Sequence, residues 1–159
     1  MRVVGAGGPV RAYPEGMTEI WSDIASEFLH LYPSGGRLLA VAGADAERSR
    51  RAADDVAAAL TAAGQTVERA HTGDGDEASL RADVIAPFRA DRGDRVLVVS
   101  GPAALVSASA RGLWNFTIWQ LAGDEQPHTA ASVIVDVTDP DAPTRRFADY
   151  CALPSAFGA

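Results

Sequence analysis

Apolar residues recur at Ile20, Trp21, Ile24, Phe28 and Leu31. This spacing of three and four lines one face of a helix and predicts an amphipathic helix over residues 17–31. Pro33-Ser34-Gly35-Gly36 stops it. The pattern then changes. Residues 37–42 read as a first strand, and Arg95–Ser100 (RVLVVS) is the nearly continuous apolar run expected of a strand buried on both faces of a parallel sheet. Between them lie a second helix over 46–63, with Asp45 as its N-cap and Gly64 just past its end, and a strand over 65–70. A polar turn at 72–76 follows, then a third helix over 77–89 that Pro87 ends or bends. Two more strands are expected at 115–121 and 132–137. Alternation places Trp114, Phe116 and Ile118 on one face of the former and Trp119 on the other. Strands alternating with helices predict a three-layer α/β/α sandwich with a mainly parallel sheet, whose ligands sit at the carboxyl ends of the strands.

Length and composition narrow the picture. The chain has 159 residues, enough for one domain over 17–159 behind a Gly- and Pro-rich arm at 1–16. At 47% hydrophobic residues it is globular rather than disordered. A net charge of −7 leaves no electrostatic footprint for nucleic acid. The longest apolar stretch, Val96 to Val106, is broken by Ser100-Gly101-Pro102 and does not span a bilayer. Gly5-Ala6-Gly7-Gly8 interrupts any signal-peptide core and lacks the preceding strand that a nucleotide-binding turn needs. The single cysteine, Cys151, excludes an internal disulfide. Near a chain end, it reads as a bystander. A cytoplasmic protein, with no membrane or nucleic-acid partner, is the expectation.

The stretch from the first strand into the second helix carries the most chemistry. Gly43-Ala44-Asp45-Ala46-Glu47-Arg48-Ser49-Arg50 stands where a phosphate-binding loop, G-x-x-x-x-G-K-[ST], stands in other proteins. Arg48 replaces the second glycine, Ser49 the lysine and Arg50 the Mg²⁺-binding hydroxyl residue. Further segments follow in order: PSGGRLLAVAG, GDRVLVVSGPAAL, RGLWNFTIWQL and SVIVDVTDPDAP. Together they resemble the uridine kinase-like branch of the P-loop kinases, in particular its short actinobacterial members. The resemblance implies a P-loop-type fold. It also implies that Ser100 occupies the place of an acidic metal-site residue, and that Asp74 is the one match to the catalytic carboxylate. The arginine-rich lid is reduced to GDEQPHTAA and the substrate region is missing. Phosphoryl transfer depends on positioned charge, so these losses imply that ATP- and Mg²⁺-dependent transfer is gone.

The candidate residues each admit two readings. Gly43, Ala44, Asp45, Arg48, Ser49, Arg50 and Ser100 form a rebuilt anion pocket, or the arginines form a solvated helix face. On the second reading Glu47–Arg51, Arg50–Asp54 and Arg51–Asp55 are spaced for pairing along the helix. Asp74 and His71 are acid/base candidates, or Asp74, Asp76 and Glu77 are a polar turn capping the third helix. Ser100 has no nucleophile-elbow motif around it, and its other reading is a small residue in a buried strand. His30, His71 and His128 lack metal-ligand spacing, so no metal is expected and no cofactor is assigned. The leading expectation is a kinase-like protein that binds a small nucleoside, nucleotide or other anion, or a protein partner. The alternatives are an enzyme needing neither metal nor ATP in the same cleft, and an atypical nucleoside kinase. The Trp114, Phe116, Ile118 and Trp119 cluster reads mostly as core, while loss of the lid and substrate region leaves apolar surface there and on the first helix for a homodimer to cover.

Overall fold

The two apolar runs are neighbours. In the computed structural model, which describes residues 15–128 and 130–146, β1 (Gly36–Gly43) pairs in parallel with the strand Arg95–Pro102, Leu38 opposite Leu97. On its other side β1 pairs in parallel with the strand Phe116–Leu121, Leu39 opposite Phe116. In chain order the elements are α1 (Glu15–Leu31), β1, α2 (Ala46–Ala62), β2 (Val67–His71), a helical stretch, β3 (Arg95–Pro102), β4 (Phe116–Leu121), β5 (Val133–Asp136) and β6 (Thr144–Arg146). The sheet order is β2-β3-β1-β4-β5-β6. Only β6 is antiparallel, pairing with β5 at the edge.

Burial on both sheet faces explains the continuous apolar runs. Leu39, Val41, Val96, Val98, Phe116 and Ile118 point to one side, packed under α1 and α2. Leu38, Ala40, Ala42, Leu97, Val99 and Trp119 point to the other, under the helical segments after β2 and β3. Helices therefore cover both faces, giving the three-layer α/β/α sandwich. In α1 the predicted stripe is buried: Trp21, Ile24 and Phe28 face the sheet, and Phe28 meets Phe116 edge-on at 5.4 Å. α2 ends in a Schellman turn, with Gln65 N donating to Leu60 O and Gly64 N to Thr61 O. Gly64 supplies the φ of +92° that this turn requires.

Four points of the sequence reading are refined. Of the two outcomes expected at Pro87, the helix does not end there: Glu77–Ser79 (α3), a π turn Leu80–Ile85, and Ala86–Ala90 (α4) follow without a break, and the irregularity lies in the π turn ahead of the proline. Proline lacks an N–H and its ring crowds the carbonyl four residues back, so a widened π turn ahead of it relieves both problems. Trp114 does not share a face with Phe116. It precedes the strand and joins the opposite cluster with Trp119, its Nε1 donating to Leu105 O at 2.8 Å. The three-residue β6 went unpredicted, because Thr144-Arg145-Arg146 has no apolar alternation. The Trp114–Trp119 cluster is core throughout, with no exposed remainder: Trp114, Phe116, Ile118 and Trp119 are all buried, and Leu31 is the one exposed large hydrophobic among the described residues. The apolar surface that called for a second subunit is therefore missing there. No described helix is long and apolar enough to cross a membrane. Cys151, Gly5–Gly8 and residues 1–14 of the arm lie outside the described residues.

Candidate functional site

From β1 the chain runs through α2 to the edge strand β2, returns to β3 beside β1, then crosses to β4 on the other side. The carboxyl end of β1 is thus where the strand order reverses, the place at which open α/β sheets bind ligands. Only Ala44 and Asp45 separate β1 from α2. Residues 46–50, aligned with the body of a phosphate loop, are instead the first turn of the helix, and Ser49 N already donates to Asp45 O at 3.0 Å. Phosphate loops hold their ligand with inward backbone N–H groups of an open loop. Here Asp45 Oδ1 accepts from Glu47 N at 3.0 Å and Arg48 N at 3.2 Å. The N-cap carboxylate thus sits where an anion would be attracted, and it satisfies two of the donors.

Gln120, from β4, closes the rest. Its Nε2 donates to Asp45 O and to Ser49 Oγ, each at 3.0 Å, while its Oε1 accepts from Arg48 Nε at 2.5 Å. Gln120 and Ser49 are fully buried. Arg48 reaches on to Glu125 Oε1, which also accepts from Ala122 N at 3.1 Å. The short β4–β5 connection thus supplies a carboxylate that holds Arg48. In a buried network every satisfied polar atom matters, since leaving one unmade costs about 1–3 kcal/mol.

Across β1 a second group forms. His71, at the end of β2, places Nδ1 2.7 Å from Ser100 Oγ and Nε2 3.6 Å from Glu47 Oε2. Ser100 is fully buried and two residues short of the end of β3, so it is neither an accessible nucleophile nor a strand-end metal ligand. Glu47 beside Nε2 favours the tautomer with its proton there, leaving Nδ1 to accept from the Ser100 hydroxyl. Burial, then the nearby Arg50, hold the His71 pKa below the usual histidine value, with Glu47 opposing and Arg69 adding to them. With its pKa lowered, His71 favours the uncharged imidazole at neutral pH, with Nε2 beside Glu47.

Asp74 is not joined to His71. Its Oδ1 accepts from Asp76 N at 3.0 Å and from the Thr72 hydroxyl at 3.2 Å, and these bonds hold its carboxyl below the usual range. Asp76 caps α3, accepting from Ser79 N. The polar-turn reading describes this segment. The arginine pairs differ from those the spacing suggested: Glu47 lies near Arg50 and His71, and Asp54 pairs with Arg69 of β2.

Of the predicted loop residues, Gly43, Ser49 and Ser100 are buried and Arg48 is bonded inward; Ala44, Asp45 and Arg50 remain exposed. Gln120, Glu125 and Glu47 were missed. A glutamine inside the apolar run FTIWQL was the available signal, because a buried amide must find partners. Among the described residues no group of three His, Cys, Asp or Glu side chains is arranged to hold a metal. A cleft of about 240 Å³ opens on the far side of α2's first turns, between Trp21 of α1, Arg51 and Asp55 of α2, and the Val137–Pro143 segment after β5. No protein-family model, curated protein or solved structure matches this chain.

Proposed function

We propose that this protein is a uridine kinase-like α/β domain that no longer transfers phosphate and instead holds a small anionic or nucleoside-like ligand at the carboxyl side of its sheet. The observation that carries the reading is the two-residue connection from β1 to α2, with Asp45 capping the helix and Gln120 filling the space beside it. Phosphoryl transfer needs a loop that wraps the β- and γ-phosphates and a ligand for Mg²⁺. A carboxylate at the helix start and a buried amide against Ser49 oppose both. The test is turnover of uridine and cytidine with Mg²⁺-ATP or Mg²⁺-GTP, run beside a thermal-shift screen of nucleosides, nucleotides and metabolites. Background turnover with a stabilising ligand is the expected outcome. Robust phosphorylation would instead make this an atypical nucleoside kinase.

A second reading is supported by one observation, the orientation of His71. A neutral imidazole fixed through Nδ1 by a buried hydroxyl, with Nε2 beside the Glu47 carboxylate, suits proton transfer without metal or ATP. On this reading His71 is the acid/base group, and Asp74, tied into its own turn, is not. Conversion of a metabolite mixture by the wild type and not by His71→Asn would favour this reading. Identical mixtures before and after incubation would sink it.

A further inference from the structure

The cleft beside α2 holds a donor without an acceptor. Its other polar groups are engaged. The Thr138 hydroxyl donates to Asp136 Oδ1 at 2.6 Å and accepts from Gly123 N at 2.8 Å. Arg48 is held by Gln120 and Glu125, and Asp55 has a partner. One donor facing the cleft remains. Arg51 lines the cleft and has no ion pair among the described residues. Trp21 lines the cleft too, but its Nε1–H is shut off from the open space and makes no hydrogen bond.

The stripe that α2 presents here is Arg48, Arg51, Ala52 and Asp55, residues that share a face at helical spacing. Opposite it stand Trp21, Val137, Pro140 and Pro143, which are apolar. At about 240 Å³ the space lies below the ~300–1,000 Å³ of pockets that take drug-sized ligands. A guanidinium fork matches the two oxygens of a carboxylate. One unpaired arginine beside Asp55, in a chain of net charge −7, suits a single negative charge better than the two of a phosphate monoester.

We propose that this cleft binds a small monocarboxylate with an apolar body. Arg51 takes the carboxylate and the apolar body lies along the wall that Trp21 lines. The assignment rests on the reading of this domain as a holder of small anions, and it gives that anion a class and a place.

The test is a titration followed by the ¹⁵N–¹H signal of the Trp21 indole, assigned with Trp21→Phe. Benzoate is the probe, benzamide its neutral counterpart and phenyl phosphate its dianionic one. Benzoate should move the Trp21 signal saturably, with benzamide and phenyl phosphate weaker. Arg51→Met, a change at an exposed position, should weaken benzoate at least about tenfold, as expected for a lost charge-assisted hydrogen bond. Arg81→Met, outside the cleft and paired with Glu77, should leave it unchanged. An unmoved Trp21 signal, equal binding of benzamide or phenyl phosphate, or full affinity in Arg51→Met would each overturn the proposal. Mg²⁺-ATP turnover would sink the loss of phosphoryl transfer and leave the carboxylate cleft standing, so the two failures are distinguishable.

Discussion

Gln120 dictates that residue 43 is glycine. A β-carbon on Gly43 would lie 2.6 Å from the Gln120 carbonyl oxygen and would overlap its side-chain amide. Gly43 therefore serves packing between β1 and β4, where in a phosphate loop the corresponding glycine gives the backbone room to approach a ligand. Because a backbone atom is in the way, Gly43→Ala cannot be absorbed by a side-chain rotation. It should cost about 1–3 kcal/mol, the range for overpacking a tight interior, measured by chemical denaturation. A variant as stable as the wild type would mean that β1 and β4 can part there at little cost.

Arg48 and Arg50, two residues apart on α2, should behave differently. Arg48 bonds to the fully buried Gln120 and to Glu125, whereas Arg50 is exposed and 3.8 Å from Glu47. Arg48→Ala should destabilise by about 1–3 kcal/mol, because it leaves a buried amide oxygen without its donor. Arg50→Ala should stay within about 0.5 kcal/mol of the wild type, as surface pairs do. Urea midpoints of the two variants, measured together, decide the matter. Equal small effects would return Arg48 to the solvated face that spacing alone suggested.

His71 should couple stability to pH. Its folded pKa lies below the ordinary value of 6.5, chiefly through burial and then Arg50, so the unfolded chain binds a proton more readily than the folded one. Glu47 opposes this shift, Arg69 reinforces it, and Ser100 bonds the other ring nitrogen. The contribution is therefore fully present above 6.5 and is lost as pH falls from there through the folded pKa. His71→Gln removes that titration. The stability difference between wild type and variant should shrink between pH 7 and about pH 5. A constant difference would mean that folding leaves the His71 pKa unshifted, and one that grows on acidification that folding raises it; either contradicts the lowered pKa.

Local pattern carried the fold a long way. β1 and β3 are buried on both faces, so their sequences are apolar at nearly every position and their limits were readable to within about two residues. The α2 cap at Asp45 and its Schellman glycine are short-range chemistry, and both were readable too. Trp114 was placed on the wrong face because alternation holds only inside a strand. Asn115 N donates to Leu38 O at the point where β4 begins, and Trp114 lies just outside. β6 was invisible because three polar residues on a sheet edge carry no pattern. At the site, the order strand, glycine, helix was legible and the closure was not. The closure depends on Gln120 and Glu125, more than seventy residues from Arg48, and no local rule pairs them.

The proposed loss of phosphoryl transfer requires that the β1–α2 connection no longer accommodate a nucleoside triphosphate. Calorimetric titration of ATP into the protein, with and without Mg²⁺, addresses it directly. The closed network around Asp45, Gln120 and Ser49 predicts no saturable Mg²⁺-dependent binding at millimolar ATP. Saturable binding that requires Mg²⁺ and is abolished by Arg50→Ala would show that the connection opens into a working phosphate site, and would contradict the account.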